Sequence, residues 1–140
     1  GLFTGVRFCW SHEWLSLRFD FDEAGQARHP GIRVGITLHG PQQMFRLAFA
    51  LDPPGPDHFV LSQATGPDTW MEIGPYRSIC RNRVVELALP WKDLQLEPGQ
   101  DVRMSIVILE HGLEVSRYPH QRPAVLTAPG PEFDAAMWRV

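Results

Sequence analysis

No apolar run in this sequence approaches the roughly 18 residues that a membrane-spanning helix needs. The start, Gly1-Leu2-Phe3-Thr4-Gly5, also lacks the basic stretch followed by an apolar one that marks a secretory leader. The expectation is a soluble, cytoplasmic chain with no membrane partner. Only two cysteines occur, Cys9 and Cys80, far apart and with no C-x-x-C spacing, which excludes a sulfur-held zinc or thiol-exchange site. A bridge between them would stabilise by about 4 kcal/mol on the chain-entropy model. A core of this size does not require it, so two free thiols are the preferred expectation, with the bridge left open. Basic charge is not in excess either: 13 Lys and Arg against 16 Asp and Glu give a net charge of −3 and no broad field for a polyanion, so nucleic acid is not an expected partner.

Helical periodicity is missing as well. No window of ten or more residues carries an i, i+3, i+4, i+7 apolar stripe, and 13 prolines would interrupt most attempts at one. What is there instead is period two. Leu15, Leu17, Phe19 and Phe21 alternate with Ser16, Arg18, Asp20 and Asp22, the pattern of a strand with one dry and one wet face. The same alternation recurs over Ile32–Leu38, Phe45–Leu51, Val85–Leu89 and Val102–Ile108. Shorter candidates are Val6–Trp10, Phe59–Leu61, Met71–Ile73, Leu113–Val115 and Trp138–Val140.

Turn residues such as His39-Gly40-Pro41, Gly66-Pro67-Asp68, Glu97-Pro98-Gly99 and His111-Gly112 separate these runs. About nine or ten short strands joined this way predict an all-β fold, a two-sheet antiparallel β-sandwich with little helix. Trp91-Lys92-Asp93-Leu94, after Pro90, predicts one helical turn. The Pro-rich segment Pro119 to Pro131 is expected to cross one end before a last strand. At 140 residues, with no repeat or linker, the chain is expected to be one domain over 1–140. It begins without Met, and is expected to be a piece of a longer polypeptide.

The stretch Val84-Val85-Glu86-Leu87-Ala88-Leu89-Pro90-Trp91-Lys92-Asp93-Leu94, followed by Leu96-Glu97-Pro98-Gly99-Gln100-Asp101-Val102, resembles the DOMON-like domains related to carbohydrate-binding module family 9. Those have a strand ending in Pro-Trp, a short turn ending in Leu, a Pro-Gly loop and an alternating strand. Trp14-Leu15-Ser16-Leu17-Arg18-Phe19-Asp20-Phe21-Asp22 is similar to their second strand. Gly112–Pro119, Phe133-Asp134 and Trp138 resemble the close of the C-terminal domains of glycoside hydrolase family 57-like proteins, the amylase and glucanotransferase group. The resemblance implies an immunoglobulin-like sandwich at the C-terminus of a glycosidase-type enzyme. It would be an accessory module docked on the parent's catalytic domain, binding glucan in some members through an aromatic pair. It implies no catalysis by the module itself.

Sugar recognition needs flat aromatic faces for the pyranose C–H groups with polar side chains nearby. Trp14 falls out of phase with Leu15, Leu17 and Phe19, and Trp70 follows the loop Gly66–Thr69, so these two are the carbohydrate-binding candidates. Trp10 is in phase with Val6 and Phe8 and is expected in the core. Trp91 is expected to plug the turn after Pro90, and Trp138 to pack in the final strand. Asp20, Asp22 and Glu23 are a weak calcium candidate, short of the six to eight oxygen ligands needed, and a solvated acidic turn explains them better.

No catalytic motif assembles. His12-Glu13 lacks the second His of H-E-x-x-H, and no Gly-x-Ser-x-Gly elbow or Gly-rich phosphate loop is present. Some DOMON-like domains hold haem through Met and His, but Met104 alternates with core residues, so no cofactor is expected. Three alternatives stand in order: a carbohydrate-binding accessory module, a structural domain docking on the catalytic domain without sugar, and a stand-alone enzyme.

Overall fold

The computed structural model describes residues 3–21, 31–51, 58–81, 84–119 and 121–130. Among the described residues each predicted alternating run becomes a strand. In β2 (Trp14–Phe21) Leu15, Leu17 and Phe19 are buried while Arg18 is exposed. Together with β1 (Phe3–Trp10), β8 (Val84–Pro90) and β7 (Ile79–Arg81) it forms a four-stranded antiparallel sheet in the order β1-β2-β8-β7.

Among the described residues the second sheet has seven strands. Its main path is β10 (Leu113–Tyr118), β9 (Asp101–Glu110), β3 (Ile32–His39), β4 (Met44–Ala50), β5 (Phe59–Ala64) and β6 (Trp70–Tyr76). The seventh, β11 (Ala124–Thr127), pairs with Asp101–Met104 of β9, while β10 takes Ile106–Glu110. Two short strands thus share one edge of β9. The fold is an all-β, two-sheet antiparallel sandwich.

Inner faces of both sheets supply one core, from Leu15, Leu17, Phe19, Val85 and Leu87 on one side to Ile36, Leu47, Phe49, Met104 and Ile106 on the other. Phe19 and Phe49 meet edge to face across it, with ring centroids 5.7 Å apart. Among the described residues no polar or charged side chain is buried. Each sheet therefore separates a dry face from a wet one, as the alternation requires.

Connections close the ends. The β6–β7 corner, Arg77-Ser78, carries the chain from one sheet to the other, and Ser78 locks it by donating Oγ–H to the Ala88 carbonyl at 2.6 Å. The turn predicted after Pro90 is a 3₁₀ turn, Trp91–Leu94, with Trp91 and Leu94 buried. It ends at Gln95 in a left-handed conformation, φ 55°. The Tyr76 hydroxyl donates to Asp93 Oδ2 at 2.6 Å, tying this turn to β6. Between β9 and β10, His111 and Gly112 both have positive φ, the signature of a two-residue primed hairpin turn.

Four expectations need correction or limitation. The segment Pro119–Pro131 does more than cross an end, because Leu126 and Ala128 face inward and β11 hydrogen-bonds to β9 between Pro123 and Pro129. The three-residue β7 was not foreseen. Met71, Ile73, Leu113 and Val115 alternate yet are exposed. In β6 a register shift opposite Leu61/Ser62 leaves Ile73 without a cross-strand partner, and every residue of β10 lies open on the sheet edge. The strand expected at Trp138–Val140 lies outside the described residues.

Candidate functional site

Cross-strand register lays out the wet face of the four-stranded sheet in rows. Arg7, Arg18 and Glu86 stand opposite one another on β1, β2 and β8; Cys9, Ser16 and Ala88 form the next row; Trp14 and Pro90 form a third. Successive rows are two residues apart, about 6.6 Å along the strands. The middle row has only small side chains, so the face dips between a charged row and an aromatic one. The hollow there has a volume of about 750 Å³, with Arg7, Cys9, Ser16, Arg18, Arg77 and Glu86 in its lining. One pleat further along β2 and β8, a second hollow of about 460 Å³ is lined by His12, Glu13, Trp14, Pro90, Trp91 and Lys92.

The β1–β2 turn sets Trp14 in place. Its backbone N–H donates to Ser11 Oγ at 3.2 Å, and its carbonyl accepts the Ser11 N–H at 2.9 Å. Trp91 braces the same turn from below: its indole N–H donates to the Ser11 carbonyl at 2.9 Å, and its backbone N–H to the Glu13 carbonyl at 3.0 Å. One tryptophan is thereby buried, 4% exposed, and the other stands out at 41%. Trp14 is exposed, as its phase in the strand predicts, and Trp91 plugs the turn after Pro90 as expected. Trp10 is only partly buried, packed against the rim of the core, and Trp138 lies outside the described residues.

Charge in the first row is arranged around Arg18. Its Nε donates to Asp20 Oδ1 at 2.9 Å, and its guanidinium lies 3.7 Å from Glu86. The hydrogen bond to Asp20, then the charge of Asp20, push its pKa above the usual arginine value. Arg7 approaches the other Asp20 oxygen at 3.8 Å. Asp20 is therefore faced by two guanidiniums. Asp22 and Glu23, the other weak calcium candidates, lie outside the described residues. Among the described residues no group of three or more His, Cys, Asp or Glu is placed to hold a metal ion. Cys9 is a free, exposed thiol.

Trp70 lies on the wet face of the other sheet, where Arg46 from β4 sits 4.4 Å above its ring centroid. That guanidinium covers one ring face in a cation–π contact. Trp14 and Trp70 are thus on opposite outer surfaces of the sandwich and do not form one platform. Sequence inspection did not single out Arg7, Arg18, Arg77 or the small Cys9-Ser16-Ala88 row. The wet phase of each strand was visible, but their opposition depends on register between segments remote in the chain.

No family model, no curated protein and no solved structure matches the chain. The fold and the face itself are the grounds for a functional reading. A shallow trough with an open indole at one lip, guanidiniums at the other and hydroxyl and thiol groups on its floor can hold a flat, polyhydroxylated chain.

Proposed function

We propose that this domain is a non-catalytic accessory module of a glycoside hydrolase-like protein, of the DOMON-like kind, that holds a polysaccharide chain in the trough of its four-stranded sheet. The observation that carries this reading is Trp14, exposed beside a floor of small residues and oriented by a turn that Trp91 braces. An exposed ring next to a hollow can cover one pyranose face while neighbouring polar groups meet the hydroxyls. Affinity-gel retardation on starch, glycogen, β-glucan and polygalacturonate tests it. Trp14→Ala should abolish most of the retardation and leave the unfolding midpoint nearly unchanged. Retardation unaffected by the substitution, or absent on every gel, would refute the reading.

A second reading is a structural domain that docks on a catalytic domain without binding sugar. Its support is the exposed apolar side chains that the two short strands beside β9 leave open: Leu113 is 72% exposed and Val115 55% on β10, and Val125 is 59% exposed on β11. Exposed apolar residues gathered on an edge suit a protein partner better than a glycan. Co-purification of this domain with a separately expressed catalytic half, lost on changing Leu113 and Val115 to Ser, distinguishes the two.

A further inference from the structure

We infer that the trough selects polysaccharide chains bearing carboxylates, uronic-acid polymers, over neutral glucans; this rests on the polysaccharide reading above. Its lining holds three arginines, Arg7, Arg18 and Arg77, against one carboxylate, Glu86, in a chain whose net charge is −3. The local sign is opposite to the global one. Arg18 is committed to Asp20 and Glu86. Arg7 reaches only the far oxygen of that same Asp20, at 3.8 Å, and its side chain is 74% exposed. Arg77, at the β6–β7 corner, has no hydrogen bond or ion pair to any described residue.

Two guanidiniums therefore border the hollow with donors to spare, one on each edge of the sheet. A neutral hydroxyl leaves that charge unanswered, whereas a carboxylate matches the planar fork of a guanidinium with two parallel hydrogen bonds. The two backbones stand three strand spacings apart, about 14 Å across the sheet, and are offset along the strands as well. That separation suits carboxylates on different residues of one chain better than a single small anion. Trp14, one row beyond the small floor and lining the adjoining hollow, supplies a stacking surface for a sugar ring further along the same chain.

Calorimetric titration with tetragalacturonate, maltotetraose and tetraglutamate separates the possibilities. Tetragalacturonate should bind most tightly, with an affinity that falls as salt rises. Arg7→Gln and Arg77→Gln should each weaken it about tenfold, the worth of a charge-assisted hydrogen bond, without moving the unfolding midpoint. Maltotetraose binding as tight as tetragalacturonate and untouched by the arginine variants would overturn the selectivity while leaving the polysaccharide reading standing. Equal binding of tetraglutamate would overturn both, since charge alone would then suffice. Binding of none of the three overturns both as well.

Discussion

Truncating the two neighbouring tryptophans should have opposite consequences for stability. Trp91 is 4% exposed and fills the space under the β1–β2 turn, so Trp91→Ala removes a large buried ring and should cost about 3–5 kcal/mol. Part of that cost, about 1 kcal/mol, is the lost indole hydrogen bond to the Ser11 carbonyl; the backbone bond from residue 91 to Glu13 survives the substitution. Trp91→Phe keeps most of the packing but not the donor, and should lose about 1–2 kcal/mol. Trp14 is 41% exposed, and Trp14→Ala should cost under about 1 kcal/mol. Urea unfolding followed by far-UV circular dichroism measures all three without depending on indole fluorescence. Domains of this size are stable by only about 5–15 kcal/mol, so the Trp91→Ala loss should be plain in the midpoint. Equal losses at positions 14 and 91, or a Trp91→Ala protein as stable as its parent, would refute this account of the turn.

Two further perturbations probe the core and one titrating contact. Leu17→Ala, Leu87→Ala and Ile106→Ala, all fully or nearly fully buried, should each cost about 2–5 kcal/mol, while Arg18→Ala, on the wet face of the strand that carries Leu17, should change stability little; similar losses at 17 and 18 in urea melts would overturn the facing. Burial, then the hydrogen bond to Asp93, raises the Tyr76 phenol from 10.0 to about 12, so the folded protein holds that proton longer than the unfolded chain. The stabilisation is complete below pH 10 and is lost as pH rises through about 12; Tyr76→Phe should flatten this part of the stability curve, and an unchanged slope would refute the contact.

Much of the fold was readable because period two carries the same information as the sheet. Leu15-Leu17-Phe19 and Val102-Met104-Ile106-Ile108 could occupy only one dry face each, and both do. The failures have local causes. Ile79–Arg81 is too short to display a period, and it becomes a strand through its pairing with Val85–Leu87. Ala124–Thr127 is hidden among prolines, none of which falls inside the hydrogen-bonded stretch. Leu113 and Val115 alternate like core residues yet stay exposed, because no part of the opposite sheet lies over that edge among the described residues. Alternation reports which residues share a face, not whether anything covers it.

The same distinction governs the candidate site. Trp14 was legible as an exposed ring because it is out of phase with its own strand, and the β1–β2 hairpin is a local structure that the sequence encodes directly. The trough beside it was not legible. It exists because Ser16 is aligned with Cys9 on one side and with Ala88 on the other, and the second alignment joins segments separated by half the chain. Trp70 makes the converse case. Its place after the loop Gly66–Thr69 marked it as a candidate, but the ring is half-buried, and Arg46, two strands away, places a cation over one of its faces. Exposure of an aromatic residue therefore identifies a candidate, and the register of its neighbours decides between candidates. By that criterion Trp14, with open space beside it and no cation over it among the described residues, is the ring on which binding experiments should turn.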